Sequence, residues 1–440
     1  MVERLVPDVR ISIDGNRLED ALIHKLIRGK VTYNLEKSDS FSLTFNDSEM
    51  KIQNQNIFDI GKTVIIELGY ESGFVKMLEG EIVKIHFNYS SASPITITIV
   101  GLDKMFRLNR TKNSRSFKNI KDSDIAIEIA QDLGLDFDID PTNQQFDYIF
   151  QNNQSDLNFL KERANRIDFE VEVEENKLIF KKARHEDKEE SVELIWDRNL
   201  MEFTPTVDAT KIVSEVEVRG WSATQKDFIQ SIATTGDEKK SIKGEIGAEK
   251  TKSKFKNLNS KILKVDIPLQ TQTEADNLAK SRLNQLNMEY ITGYGLAVGE
   301  PKIRAGKLIK IMGIGDISNG EYYVISAEHI FSTRGYKSYF SVKRGVEGVK
   351  SSDLNKDRPR NSKTVADTEN KAQEKDKKDR KGWTRINIDA DDWNDVKGRK
   401  YEITLPDGSI RSGIIDESAK DGIEVNNITR GNVKFRILDE

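Results

Sequence analysis

The side chains that could do chemistry are few and scattered. The four histidines, His24, His86, His185 and His329, show neither HExxH nor HxH spacing. A zinc site made from them would need distant parts of the chain to converge, with no cysteine to help. The lack of cysteine also excludes disulfide scaffolds, iron–sulfur clusters and thiol nucleophiles. There is no GxSxG elbow, no Walker loop and no GxGxxG between a strand and a helix. Gly313-Ile314-Gly315 lies between strand-like runs and reads as a hairpin turn. The densest acidic string is Asp389, Asp391, Asp392 and Asp395. A calcium loop would need glycine at its sixth position and an acid at its twelfth, but Asn394 and Lys400 stand there. The string reads as a solvated acidic turn. Adjacent pairs such as Glu174-Glu175 and Glu189-Glu190 do not single out two carboxylates facing each other across a cleft. Trp196 and Trp221 read as core. No catalytic, cofactor-binding or metal-ligating residue is expected, no cofactor is implied, and the chain is expected not to be an enzyme.

The elements around these residues are mostly strands. Over residues 1–110, Phe41, Leu43 and Phe45 alternate with Ser42 and Thr44. Ile95, Ile97 and Ile99 alternate in the same way, the period of a half-buried strand. Asp14-Gly15 marks a turn, and the runs Ile65–Tyr70 and Leu78–Phe87 complete an antiparallel barrel or sandwich pattern. Residues 111–204 mix types. One helix is expected behind Ser123 as N-cap, with Ile125, Ile129 and Leu133 on its face. A second starts at Ser155, followed by a hairpin turning at Asn176.

Strand periodicity resumes over 205–346. Thr271 and Glu274 form a capping box for a helix carrying Ala275, Leu278, Ala279, Leu283 and Leu286. The polar stretch Ser222–Ser260 reads as a long structureless loop, either a disordered excursion or an arm that orders on assembly. Residues 347–382 read as a flexible charged linker, because Ser351–Lys381 is almost without apolar residues. A charged helix is the other reading. Residues 383–440 form a small β domain, with Pro406-Asp407-Gly408-Ser409 as a turn. No internal repeat of solenoid type is visible.

Composition limits the function classes further. The chain has 440 residues, with 69 basic and 73 acidic side chains and a net charge of -4, which argues against a nucleic-acid binder. No stretch approaches the roughly 18 apolar residues of a membrane helix, so no stable membrane insertion is expected. The start, MVERLVPDVR, is too charged for a secretory core.

One constellation is more specific. Gln151, Ser155, Asp156, Phe159, Leu160 and Ala164 fit a Q-x-x-x-S-D-x-x-F-L-x-x-x-A helix that runs into the hairpin from Phe169. Phe203-Thr204-Pro205 then precedes the strand ending Val218-Arg219-Gly220-Trp221. Thr273–Leu286, Gly306-Lys307-Leu308, Gly320–Val324 and His329 follow in order. This series resembles the phage late control protein D, or tail hub, family. That family is similar to the hub portion of type VI secretion spike proteins and of extracellular contractile injection systems. The likeness covers roughly residues 5–345. Tyr401–Gly413 separately resembles a small β module appended to spike and peptidoglycan-associated proteins.

The resemblance implies a mainly β, α+β fold. Two tube-like antiparallel β-barrel domains, 1–110 and 205–346, would flank an α+β insert, 111–204. The implied role is a baseplate hub, a homotrimer that adapts a sixfold inner tube to a threefold central spike. Its partners would be further copies of itself, inner tube subunits, a central spike protein and baseplate proteins. It would assemble in the bacterial cytoplasm and become part of a virion or contractile particle. No β-helical needle follows Ser351, so the spike would be a separate protein. The competing readings are a tail-tip cell-wall hydrolase and a carbohydrate-binding adhesin.

Overall fold

The computed structural model describes residues 8–348 apart from 56, 71–72, 184–191, 223–225, 239–241, 243, 256–259, 265–267 and 333–334; beyond these it describes 382–386, 396–405, 409–416, 423–428 and 434–438. The expected linker stretch 351–381 and the acidic string 389–395 lie outside the described residues. Among the described residues strand outweighs helix, 52% against 19%, so the class is mainly β as expected. The chain divides into two units, Met1–Leu354 and Asn355–Glu440.

The first unit opens with β1 (Asp8–Ile13), β2 (Asn16–Arg17), the one-turn α1 (Asp20–Ile23), β3 (Leu26–Asn34) and β4 (Ser40–Asn46). After α2 (Lys51–Asn54) come β5 (Thr63–Tyr70), β6 (Gly73–Asn88) and β7 (Thr96–Leu102). Alternation decides the faces. In β4, Phe41, Leu43 and Phe45 are buried, while Ser42 and Thr44 lie on the other side.

An α+β body follows: α3 (Met105–Arg110), β8 (Lys112–Lys121), α4 (Asp122–Asp132), β9 (Asp136–Ile139), β10 (Gln145–Ser155), α5 (Asp156–Ile167), β11 (Phe169–Glu174) and β12 (Lys177–Lys182). Its own core includes Ile125, Ile129, Leu157, Leu160 and Phe180. Ser155 caps α5, its hydroxyl accepting the Asn158 N–H at 3.3 Å. Ser123 is not a cap, contrary to the pattern. The helix begins one residue earlier, and Thr142 Oγ1 accepts the Ser123 N–H at 3.1 Å and donates to its hydroxyl at 3.2 Å.

Next come β13 (Val192–Ile195), β14 (Leu200–Val207), β15 (Glu215–Ser222), β16 (Asp227–Thr234), α6 (Gly247–Lys254), β17 (Lys261–Lys264) and α7 (Gln272–Asn287). The unit ends with β18 (Ile291–Val298), β19 (Leu308–Met312), β20 (Gly320–Ser332) and β21 (Gly335–Arg344). Gly313 and Gly315 lie between the antiparallel β19 and β20, as the hairpin reading requires. The stretch expected to be structureless, Ser222–Ser260, holds β16 and α6. Ile229 and Ala233 of β16 are buried in a core shared with Leu278 and Ala279 of α7.

Two strand groups of this unit are built alike. Four strands run in order β3-β4-β7-β6 in one and β14-β18-β21-β20 in the other. Each first strand has a register shift at its second residue: β3 between Leu26 and Arg28, β14 between Leu200 and Glu202. Each last strand has one too: β6 between Ile82 and Lys84, β20 between Val324 and Ser326. Ahead of each bulge the same edge is paired again, β5 on β6 and β19 on β20. Gly61-Lys62 and Gly306-Lys307 immediately precede these flanking strands. The Gly61 N–H donates to the Ile82 carbonyl at 2.8 Å and the Gly306 N–H to that of Val324 at 2.9 Å. Both glycines have positive φ, +88° and +77°, which makes glycine the favoured residue there.

The two groups do not close separately. They belong to one 13-stranded sheet, and among the described residues no closed barrel is found. The reason is a strand exchange at β20. Its first residues pair with β19, but Ser326–Ser332 pair antiparallel with Arg28–Asn34 of β3. The edge that could close on its own group is therefore spent on the other one. Residues 213–286, expected inside the second barrel, hold the separate sheet β16-β15-β17 under α7, whereas β13 and the first residues of β14 up to Thr204, expected in the insert, join the large sheet.

The second unit contains β22 (Gly382–Ile386), β23 (Lys400–Thr404), β24 (Ile410–Ile414), β25 (Ile423–Ile428) and β26 (Lys434–Ile437). β23 pairs with β24 and β26, and β22 with β25. Ile403, Leu405 and Ile415 are buried.

The β3–β20 seam leaves no room at Gly29. A Cβ there would lie 2.0 Å from the ring of Phe331, the residue paired with it. We expect Gly29→Ala to cost about 1–3 kcal/mol by overpacking. Urea unfolding should show this, and Phe331→Leu in the same chain should recover part of it.

Candidate functional site

Chemistry-bearing side chains meet in one cavity of the first unit. It holds about 390 Å³ and is lined by the β3–β4 turn, β6, β11 and the segment around Arg304. Asp39, Asp103, Glu172 and Glu174 face it with Tyr33 and Arg304. The two aspartates are tied to backbone. Asp39 Oδ1 accepts the Asn34 N–H at 2.9 Å, and Asp103 Oδ1 accepts the Met105 N–H at 3.1 Å. The Asp103 N–H donates to the Asp39 carbonyl at 2.9 Å. Tyr33 donates its hydroxyl to the Met77 carbonyl, and Arg304 donates to the carbonyl of Lys76.

Burial pushes Asp39 up to about 7, against the Asn34 N–H and Arg304, which favour the charged form. Burial and the neighbouring Asp39 hold Asp103 well above the usual carboxylate range. The cluster can hold protons, but its bonds run to the chain itself. Sequence reading missed the pair because its members come from separate turns that only the β4–β7 pairing brings together.

Among the described residues His24, His86 and His329 stand apart from one another. His329 is fully buried at the β3–β20 seam. One ring nitrogen faces the Ile303 carbonyl at 2.8 Å, and the other meets the hydroxyls of Tyr336 at 2.8 Å and Ser338 at 3.0 Å. Burial lowers it to about 4, so it is neutral at neutral pH. His24 and His86 are exposed, and His185 lies outside the described residues. Among the described residues no group of three or more His, Asp or Glu could hold a metal ion, and no helix is long and apolar enough to cross a membrane.

The prominent surface features are apolar. On the side of β15-β16-β17 away from α7, Trp221 and Phe228 meet edge to face, 5.0 Å between ring centroids. They are 50% and 76% exposed, and Ile232 and Leu263 lie in the same sheet, also exposed. Glu217 stands among them yet is buried, accepting from Gln230 at 2.6 Å and from Arg219 and Lys261. The face thus carries exposed apolar side chains beside a cluster of paired charges centred on Glu217. Trp221 is not core, and Trp196 is also half exposed. Alternation told the two faces of β15 apart but not which one α7 would cover.

The large sheet also has unpaired strand edges among the described residues. β14 pairs with β18 along its length, and beyond that ladder it carries only an isolated bridge from Leu200 to Trp196. β6 pairs with β5 up to Glu81, and beyond Ile82 that edge carries no strand. Exposed Met201 and Val207 lie on the first edge, and exposed Phe87 on the second with Tyr89 just beyond it.

The fold matches solved phage tail proteins. The 43 kDa tail protein of prophage MuSo2 from Shewanella oneidensis is similar over 77% of this chain and 98% of its own, at 14% identity and a TM-score of 0.58. The tail protein from Neisseria meningitidis MC58 is similar over 77% and 97%, at 14% identity and a TM-score of 0.57. The likeness to tail proteins read from the motifs is therefore present in the fold. No match is found among curated protein sequences.

The carboxyl pair makes a pH dependence. The Asp39 value is raised by folding, so its contribution to stability is fullest below its unfolded value near 3.8 and is lost as pH rises through about 7. We expect Asp39→Asn to flatten the dependence between pH 4 and 7 and to stabilise the chain at pH 8 by about 1–3 kcal/mol. Thermal unfolding across pH checks it; a variant less stable at pH 8 would mean that the charge at Asp39 is needed.

A family model described as the Alg8 N-terminal domain matches residues 4–332, about three quarters of the sequence, and the chain belongs to that family.

Proposed function

We infer that the chain is a structural hub protein of a contractile tail or injection system. In this role three copies form the ring that joins a sixfold inner tube to a threefold central spike. The observation that carries this reading is the doubled strand group: one polypeptide contains β3-β4-β7-β6 and β14-β18-β21-β20, with matching bulges and matching flanking strands. A ring of three such chains offers six equivalent groups, which is what a sixfold tube end requires. Closed cyclic assembly also removes open sheet edges.

The other features agree with a mechanical role. Asp39 and Asp103 of the cavity are bonded to backbone, and the surface offers apolar patches and strand edges. The proposed partners are further copies of the chain, inner tube subunits, a central spike protein and baseplate proteins. The chain would assemble in the bacterial cytoplasm and then belong to a virion or contractile particle. On this reading it needs no cofactor and does no catalysis.

Light scattering on the purified full chain over a wide concentration range tests the stoichiometry. We expect a mass three times that of the chain. A stable dimer or tetramer would contradict the threefold role.

A further inference from the structure

Among the described residues the doubled group has one internal seam and two uncovered edges, and these correspond residue by residue. Aligning the groups through their bulges sets β14 on β3 and β6 on β20. Val207 takes the place of Tyr33, Pro205 that of Val31, and Leu200 that of Leu26. On the other side Ile85 takes the place of Ala327, Phe87 that of His329, and Tyr89 follows in that of Phe331. Inside the chain β3 lies on β20, with Tyr33 opposite Ala327 and Val31 opposite His329. The strands equivalent to this pair, β14 and the end of β6, are those left without that neighbour.

Burial records the difference. Ala327, His329 and Phe331 are 2%, 0% and 4% exposed under β3. At the equivalent places Phe87 is 44% and Tyr89 60% exposed. Tyr33 is 4% exposed, whereas its counterpart Val207 is 49% exposed. Phe87, Tyr89 and Val207 are thus uncovered, while Ile85 is half-buried against the core.

We propose that β14 of one copy pairs antiparallel with residues 82–88 of β6 in the next copy, repeating the β3–β20 seam between subunits. This rests on the hub reading above and supplies its subunit contact. Transferring the internal register sets Val207 opposite Ile85 of the second copy, Thr206 opposite His86 and Pro205 opposite Phe87. One step further it sets Asp208 opposite Lys84, an acid facing a base. The Asp208 N–H donates to the Tyr290 carbonyl on the β18 side, so the alternate residues Val207 and Pro205 face the free edge. Pro205 has no N–H, and the proposed ladder lacks one hydrogen bond there while the Pro205 carbonyl still accepts. The edge it leaves is eight residues long. The occupant is a second copy because no unrelated strand need share the bulge positions that align these edges.

The chain contains no cysteine, so an introduced pair reports without background. Thr206→Cys with His86→Cys puts two thiols directly opposite in the proposed register, within disulfide reach. Thr206→Cys with Asn88→Cys offsets them by two residues, beyond about 7 Å between Cα atoms. The full-length variants are oxidised, run on denaturing gels and measured by light scattering. We expect the in-register pair to lose most of its monomer band to covalent multimers, and the offset pair to keep it. An oligomer in which the in-register pair does not cross-link, or links no better than the offset pair, overturns the seam and leaves the trimer standing. A monomer without cross-links at any concentration overturns both.

Discussion

The ladder between Ser326–Ser332 and Arg28–Asn34 is the contact on which the large sheet depends. It joins strands almost three hundred residues apart in sequence, and it joins two groups that could otherwise have closed on themselves. The seam is packed without slack. Phe331 occupies the space left by Gly29, His329 is buried with both ring nitrogens bonded, and Lys30 reaches Glu328 at 3.0 Å. Such a seam couples the halves, because slipping by one residue would turn each buried side chain to the opposite face.

The α+β body and the β15-β16-β17 layer build separate cores beside this sheet. Arg166 spans two of them, donating to Glu274 of α7 at 2.9 Å from α5. The acidic cavity sits where the body meets the β3–β4 turn. Asp39 and Asp103 have raised pKa values, yet they hold the Asn34 and Met105 backbone, which makes them part of the turn architecture. His329 responds to pH in the opposite sense. Its value is lowered by folding, so its contribution is fullest above the unfolded value near 6.5 and is lost as pH falls through about 4.

Much of the local structure was legible in the chain. Alternation in Phe41, Leu43 and Phe45 found β4, and the Ser155-Asp156 signal found the start of α5, because both effects are local. The repeat was hidden because equivalent positions exchange size. Phe41 corresponds to Gly293, and Gly29 to Phe203, so bulk moves from one strand to its neighbour while the backbone register stays. Only short identities survive, such as Gly61-Lys62 with Gly306-Lys307. β16 was hidden by composition: its buried positions Ser231 and Ala233 are small and its flanks polar. The exposed Trp221 was misread because burial of one face depends on α7, some fifty residues away in sequence.

The central claim is that the internal seam is repeated at the boundary between copies. Amide hydrogen exchange on the unmodified chain, compared between dilute monomer and concentrated oligomer, tests it most directly. The account requires β3 and residues 326–332 to be protected in both states. It requires β14 and residues 82–88 to exchange rapidly in the monomer and slowly in the oligomer. Equal exchange of β14 and residues 82–88 in the two states, with new protection elsewhere, would contradict it.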